Sequence, residues 1–234
     1  MKLASLFSGG KDSTFAILKS IRDGNKVVCL VTLQPKSDES TLLHFPNIEF
    51  TKLQSKSMGI PQIFATSTSI NIKDEIMLLE KNLVKAIKNY NIDGIVHGGI
   101  LSDYQKKHYS ATCESLNLKL ISPLWHKDQK TYMKNLIEEG FRFIITSVSA
   151  GGLDDSWLGK EVTKKNLETL EKLSKNYGFN MNFEGGEAET FVIDCPLFSY
   201  PIVIVKSKKS WDGYRGRFEI TDANLVYSAR KSKK

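Results

Sequence analysis

Short apolar runs alternate along this chain with stretches in which apolar residues recur every three or four positions. Leu3 to Phe7 (LASLF) reads as a buried strand, and from Asp12 onward Phe15, Ala16, Leu18 and Ile21 fall at helical spacing. Lys26 to Leu33 (KVVCLVTL) gives a second strand. Gln34 to Thr41 is a polar loop, and Phe50, Leu53 and Met58 share one face of a helix stopped by Gly59-Ile60-Pro61. Ile63 to Thr66 is a third strand. Ile76, Leu79, Leu83 and Ile87 predict a helix over 73–90, Gly94 to His97 a fourth strand, 102–116 a helix, and Leu118 to Ile121 a fifth strand. Wholly apolar strands alternating with helices predict an α/β fold, a parallel sheet with helices on both faces. The carboxyl ends of such strands lie along one edge, so the loops at 8–13, 98–103 and 122–126 are expected to meet there, where ligands bind.

The alternation continues through a helix over 128–139 and a strand from Phe141 to Val148. A loop at 150–159 and a helix through Leu167, Leu170 and Leu173 follow. The texture then changes: Phe191–Asp194, Ile202–Val205 and Arg217–Ile220 are short strands between Pro and Gly turns, an antiparallel ending. Two domains are expected, residues 1–124 and a smaller α+β part, 125–234.

At 234 residues, 41% hydrophobic and 25% charged, the chain has the composition of an ordered globular protein. Its net charge of +7 is spread along the sequence, four of the positive charges standing in the terminal run Arg230-Lys231-Ser232-Lys233-Lys234. Basicity of this kind permits a phosphate-rich partner without specifying nucleic acid, and nucleic acid is not expected. Cys29, Cys113 and Cys195 are far apart in apolar or helical settings and form no CxxC pair, so they read as reduced and buried. The apolar runs are too short to span a bilayer, and the N-terminus lacks a basic-then-apolar signal stretch, so a cytoplasmic protein without membrane partners is expected. The sequence sets no oligomeric state and leaves a homo-oligomer open.

Two stretches carry candidate chemistry. Ser8-Gly9-Gly10-Lys11-Asp12-Ser13 joins a strand end to a helix start, a geometry in which glycine backbone freedom, helix amides and the helix dipole together favour an anion such as phosphate. It is not a G-x-x-x-x-G-K-[ST] loop, since Ser5 stands where the first glycine belongs and Asp12 where Ser or Thr belongs. A turn with Asp12 as helix cap is the plainer reading. Phe183-Glu184-Gly185-Gly186-Glu187-Ala188-Glu189-Thr190 sets three carboxylates around a glycine pair, poor material for helix or strand. It reads either as a loop held open for a ligand or as a charged surface turn.

The first stretch resembles the SGGxDS loop of the PP-loop ATP pyrophosphatases, which have a HUP-like fold and split ATP to AMP and pyrophosphate. SGGKDS together with ILSDYQ (Ile100 to Gln105), SPLW (Ser122 to Trp125), WLG (Trp157 to Gly159) and EGGEAET resembles the diphthine-ammonia ligase branch of that superfamily. The resemblance implies ATP- and ammonium-dependent amidation of diphthine, the modified histidine of translation elongation factor 2, through an acyl-adenylate. It implies that Ser8, Gly9, Gly10, Lys11, Asp12 and Ser13, with Gly98 and Gly99, hold ATP. Lys11 would neutralise the pyrophosphate, and Asp12 would stand near Mg²⁺ or at the helix start. Glu187 and Glu189 would act on the ammonia side or hold the trimethylammonio group. Asp103, Tyr104, Trp125, Glu184 and Thr190 complete the substrate side, an aromatic face such as that of Trp125 or Tyr104 being attractive to a quaternary cation. Asp103 is the expected polar participant in its loop, and His97, at a strand end, reads as a satisfied structural histidine.

The chain departs from the family pattern at Gly99, where an acid is usual, and at Lys106, where an arginine is usual. Lysine makes no bidentate fork, so an arginine contact does not carry over. None of the cysteines is placed as the nucleophile of a glutamine-dependent enzyme, which leaves free ammonium as the donor. The rival enzymatic reading is a PP-loop tRNA-modifying enzyme that adenylates a base, disfavoured by the missing CxxC and by EGGEAET. A nucleotide-binding sensor would give the acid-rich loop no task.

Overall fold

In the computed structural model, which describes residues 1–37 and 47–227, the first apolar run becomes β1 (Lys2–Leu6), followed by α1 (Lys11–Arg22) and β2 (Lys26–Gln34). A 3-10 turn, Ile48–Phe50, leads into α2 (Thr51–Met58). Then come β3 (Gln62–Thr66), α3 (Ile72–Tyr90), β4 (Gly94–Val96), α4 (Asp103–Ser115) and β5 (Lys119–Ile121). The second half has α5 (Gln129–Glu138), β6 (Arg142–Val148), a 3-10 turn at Asp155–Trp157, α6 (Lys164–Tyr177), β7 (Ala188–Asp194), β8 (Ile202–Trp211) and β9 (Gly216–Leu225). The terminal basic run from Arg230 and part of the loop following Gln34 lie outside the described residues.

Contacts divide the chain into two compact units, Met1–Thr51 with Ile60–Lys127, and Lys52–Gly59 with Asp128–Lys234. The first contains a five-stranded sheet in the order β3-β2-β1-β4-β5, parallel throughout. Alternate residues of β2 (Cys29, Val31, Leu33) join Ala4 and Ile95 in burying Leu79, Leu83 and Ala86 of α3 and Tyr109 and Cys113 of α4. Each such leucine contributes about 1.5–3 kcal/mol relative to exposure. α1 packs on β1, β2 and β4, and right-handed crossovers running in opposite directions from β1 put it on the other face. Because α1 leads to one side of β1 and β4 lies on the other, the order of strands reverses between β1 and β4.

The second unit is built on an antiparallel sheet, β7-β6-β9-β8. β6, which continues the α/β alternation in sequence, belongs to this sheet instead. It is an interior strand buried along most of its length, and such a strand is apolar throughout whichever way its neighbours run. β8 extends well beyond its apolar start, because Lys206 to Trp211 is exposed on both faces and shows no alternation, whereas β9 alternates buried and exposed residues from Gly216 to Leu225. Lys206, Lys208 and Lys209 lie in this exposed hairpin. Lys52–Gly59 joins this unit through Gln54 Nε2, which donates to Val192 O at 2.8 Å, and Ser57, whose hydroxyl donates to Tyr200 O.

Candidate functional site

At the carboxyl end of β1 the backbone turns through Gly9, at φ +78°, into Gly10, which stands at the N-cap with no side-chain cap of its own. A left-handed φ is what glycine supplies without cost. The helix starts at Lys11, so Asp12 occupies its first turn and is not the cap. Ser13 Oγ donates to Gly10 O at 3.2 Å, so in its 3.2 Å pair with Ser8 Oγ the proton comes from Ser8. Ser13 Oγ also accepts from Ser8 N at 3.3 Å. Lys11 is only 2% exposed, and its ammonium lies 2.9 Å from Asp12 Oδ2.

The loop is fixed from below by residues that the sequence reading did not single out. Phe7 N donates to Val31 O at 2.9 Å, and Phe7 O accepts from Thr32 Oγ1 at 2.8 Å. Gln62 Nε2 in turn donates to Thr32 Oγ1 at 2.7 Å and to Thr51 Oγ1 at 2.8 Å. Thr32, a polar residue inside the apolar run VVCLVTL, is the sequence signal of this arrangement.

Following β4, the chain passes directly against that loop. A Cβ on Gly98 would lie 2.5 Å from Asp12 C and from Ser13 N, so only glycine allows this approach. His97, 2% exposed, accepts from Gly99 N at Nδ1 (3.1 Å), which places its proton on Nε2, 2.7 Å from Ser122 Oγ. Burial, and secondarily the charge of Lys106, lower its pKa to about 4. His97 is therefore a neutral, fully engaged tie between the loops following β4 and β5. The backbone adds another, His126 N to Ile100 O at 2.9 Å. Loops 8–13, 98–103 and 122–126 thus meet at the β1/β4 reversal, the position at which open parallel sheets bind ligands.

Farther along this edge, Ser102 caps α4 by accepting from Gln105 N, and Asp103 opens the helix. Tyr104 is 47% exposed and meets His108 edge-on. Trp125 is stacked with His126 and carries Lys106 Nζ over its ring, 3.8 Å from the centroid. Its aromatic face already attracts a cation.

In the second unit the acid-rich stretch is part turn and part strand. β7 begins at Ala188, and Glu189 and Thr190 pair with Ser147 and Ile145, so the open loop expected through Thr190 ends earlier. The carboxylate of Glu187 closes the turn: Oε1 accepts from Asn180 N (2.8 Å) and Asn180 Nδ2 (2.7 Å), and Oε2 from Gly185 N (2.8 Å). Gln129 braces the same turn, donating to Asn180 Oδ1 at 2.9 Å and accepting from Met181 N at 2.8 Å. Of the roughly four acceptor positions of a carboxylate, Glu187 has three taken by these donors. The cysteines are free and buried, and burial raises the Cys29 thiol to about 12 and Cys113 to about 11, far from nucleophilic thiolates.

Among the described residues no three His, Cys, Asp or Glu side chains cluster as a metal site, and no helix is long and apolar enough to cross a membrane. A magnesium ion carried by a polyphosphate asks for only one or two protein oxygens. The glycine cradle with Asp12, Ser8 and Ser13 fits that demand.

Known proteins resemble the chain along nearly its whole length. The diphthamide synthase N-terminal domain matches residues 1–120, and the diphthamide synthase C-terminal domain matches 128–226. A diphthine-ammonia ligase of Danio rerio is 34% identical over 221 residues, covering 87% of this chain and 86% of that protein. Those of Rattus norvegicus (34%) and Homo sapiens (33%) each cover 89% of this chain and 84% of the relative. A chain described as a predicted subunit of tRNA methyltransferase from Methanocaldococcus jannaschii superposes with a TM-score of 0.41 at 16% identity over 84% of this chain and 98% of its own, too slight a likeness to bear on function. The sequence, with its glycine-cradled turn at the β1/β4 reversal, belongs to the diphthamide synthase family, the family of the diphthine-ammonia ligases, enzymes that form a carbon–nitrogen bond.

Proposed function

We propose that this protein amidates diphthine on translation elongation factor 2, using ATP and ammonium. The substrate carboxylate attacks the α-phosphorus of ATP; a new P–O bond forms, the α–β anhydride breaks, and pyrophosphate leaves. Ammonia then attacks the acyl carbon, AMP departs, and the proton released from nitrogen passes to a carboxylate. In this reading residues 1–124 bind ATP, and 125–234 carry the substrate side.

The observation that carries the proposal is the close seating of Gly98 against Asp12 and Ser13 at the strand-order reversal. It makes a cradle without side-chain bulk, beside a helix N-terminus, suited to a polyphosphate. The backbone of Gly9 and Gly10, the Ser8 and Ser13 hydroxyls and Lys11 would bind the phosphates, with Gly99 alongside. Asp12 would hold a magnesium ion, which when bound supplies charge neutralisation to the leaving pyrophosphate. Glu189 takes the ammonium proton, and Glu187 chiefly shapes the turn in which Glu184 stands. Tyr104 offers a face to the trimethylammonio group, Trp125 joining it only once Lys106 leaves its ring, with Asp103 and Thr190 as polar contacts.

Incubation with ATP, ammonium and elongation factor 2 carrying diphthine tests this. Expected are AMP and pyrophosphate, with the modified histidine lighter by the mass difference between acid and amide, and loss of both in Asp12→Ala. Formation of ADP, or adenylation of tRNA in place of the factor in a matched assay, would overturn the reading.

A further inference from the structure

The acid-rich turn of the second unit contains a polar group that its own fold does not satisfy. Asn182 is fully buried. Its Oδ1 accepts from Glu184 N at 3.4 Å, whereas its Nδ2 meets no acceptor among the described residues. That contact also decides the amide's orientation, since exchanging its ends would turn NH₂ against the Glu184 N–H. A buried donor left unmade costs about 1–3 kcal/mol. Asn180, two residues earlier, shows what a structural asparagine looks like here: it accepts from Gln129 and donates to Glu187.

Between Asn182 and Glu184, Phe183 stands at φ +63°, an outlying conformation for a bulky residue. An unsatisfied donor and a strained backbone therefore adjoin the same acidic residue, Glu184. The Glu187 clamp holds them in place. Both features destabilise the free protein, and such features concentrate where a ligand completes the structure.

The ligand class follows from the substrate's chemistry, so this inference rests on the proposed function. The reacting end of diphthine bears a trimethylammonio group and a carboxylate on one carbon; it is a betaine. Lysine or arginine at the carboxylate would repel the adjoining cation, and acids alone would repel the carboxylate. A neutral amide donor beside an acid suits both halves. We propose that Asn182 Nδ2 donates to the substrate carboxylate, with Glu184 on the side of the quaternary nitrogen, making Asn182 a specificity residue for the betaine. Its partner is the oxygen that does not attack phosphorus. That oxygen stays on carbon throughout, first in the carboxylate, then as the carbonyl of the adenylate and of the amide, so one hydrogen bond serves both steps.

Asn182→Leu removes the donor at similar volume. The KM for diphthine-bearing factor should rise about tenfold, with the KM for ATP unchanged and resistance to urea equal or greater. Asn182→Asp, which retains an acceptor for Glu184 N, should show the same rise. A folded variant with unchanged KM overturns the proposal. Should neither variant fold, the wild-type protein decides: the Asn182 side-chain amide resonance should shift on titration with glycine betaine and stay in place with tetramethylammonium. No shift with betaine overturns the assignment. This titration needs no turnover, so it judges Asn182 separately from the reading of the reaction, which falls if wild-type protein leaves diphthine unamidated.

Discussion

The two units shape their polar turns by opposite means. In the first, the turn following β1 is defined by what is missing: no side chain at Gly9, Gly10 or Gly98, so that two backbones touch and a helix N-terminus stands beside them. In the second, the turn before β7 is defined by what is added, the Glu187 carboxylate and the Gln129 amide, which gather the backbone N–H groups of Asn180, Met181 and Gly185. The first device suits a ligand rich in phosphate oxygens, which backbone dipoles can serve. The second suits a smaller group with both charges, for which individual side chains must be aimed.

The sharpest way to break this contrast is to add a single methyl group to the first device. Gly98→Ala puts a carbon at 2.5 Å from Asp12 and Ser13 backbone atoms and should lower ATP-dependent AMP formation by about a hundredfold, with stability reduced by about 1–3 kcal/mol. Pyrophosphate release and urea unfolding would measure the two; normal activity would show that the cradle tolerates bulk.

Acidification is the next largest effect. His97 holds a pKa of about 4 in the folded protein against an ordinary 6.5, so the unfolded chain takes up its proton first. The stability conferred by neutral His97 is complete above pH 6.5 and is lost as pH falls toward 4, about 3 kcal/mol in all. Urea unfolding between pH 4 and 7 should show this slope, and His97→Gln should flatten it. A slope that survives the substitution would place the titrating group elsewhere.

A smaller loss tests the second device alone. Asn180→Ala removes one bond to Glu187 and the acceptor of Gln129, and should cost about 1–2 kcal/mol while ATP binding, followed calorimetrically, stays unchanged. Weakened ATP binding would show that the two turns do not act separately. Smallest of all is Arg142→Lys. The bidentate pair with Glu161, at 2.8 and 2.9 Å, is half-exposed and worth about 0.5 kcal/mol, so the change in melting should be barely measurable.

These differences also explain what could be read from the chain beforehand. The glycine turn and the strand–helix alternation are local, and SGGKDS between LASLF and Phe15 announces both. The strand at β6 was legible but not the direction of its neighbours, because an interior antiparallel strand carries the same apolar run, FIITSV, as a parallel one. The clamp on Glu187 was illegible because Gln129 and Asn180 lie 51 residues apart, and nothing local marks a glutamine as the brace of a distant turn. Thr32 and Gln62 escaped notice similarly, 30 residues separating them.

α2 has a consequence for how the polypeptide matures on the ribosome. Gln54 must wait for Val192, 138 residues later, and Ser57 for Tyr200, 143 residues later. At a synthesis rate of about 5–20 residues per second this is on the order of ten seconds. During that interval the first sheet can close while a helix threaded through its sequence stays without its partners. A nascent chain of this topology cannot finish its halves one after the other, and release of the last strands completes an element translated near the beginning.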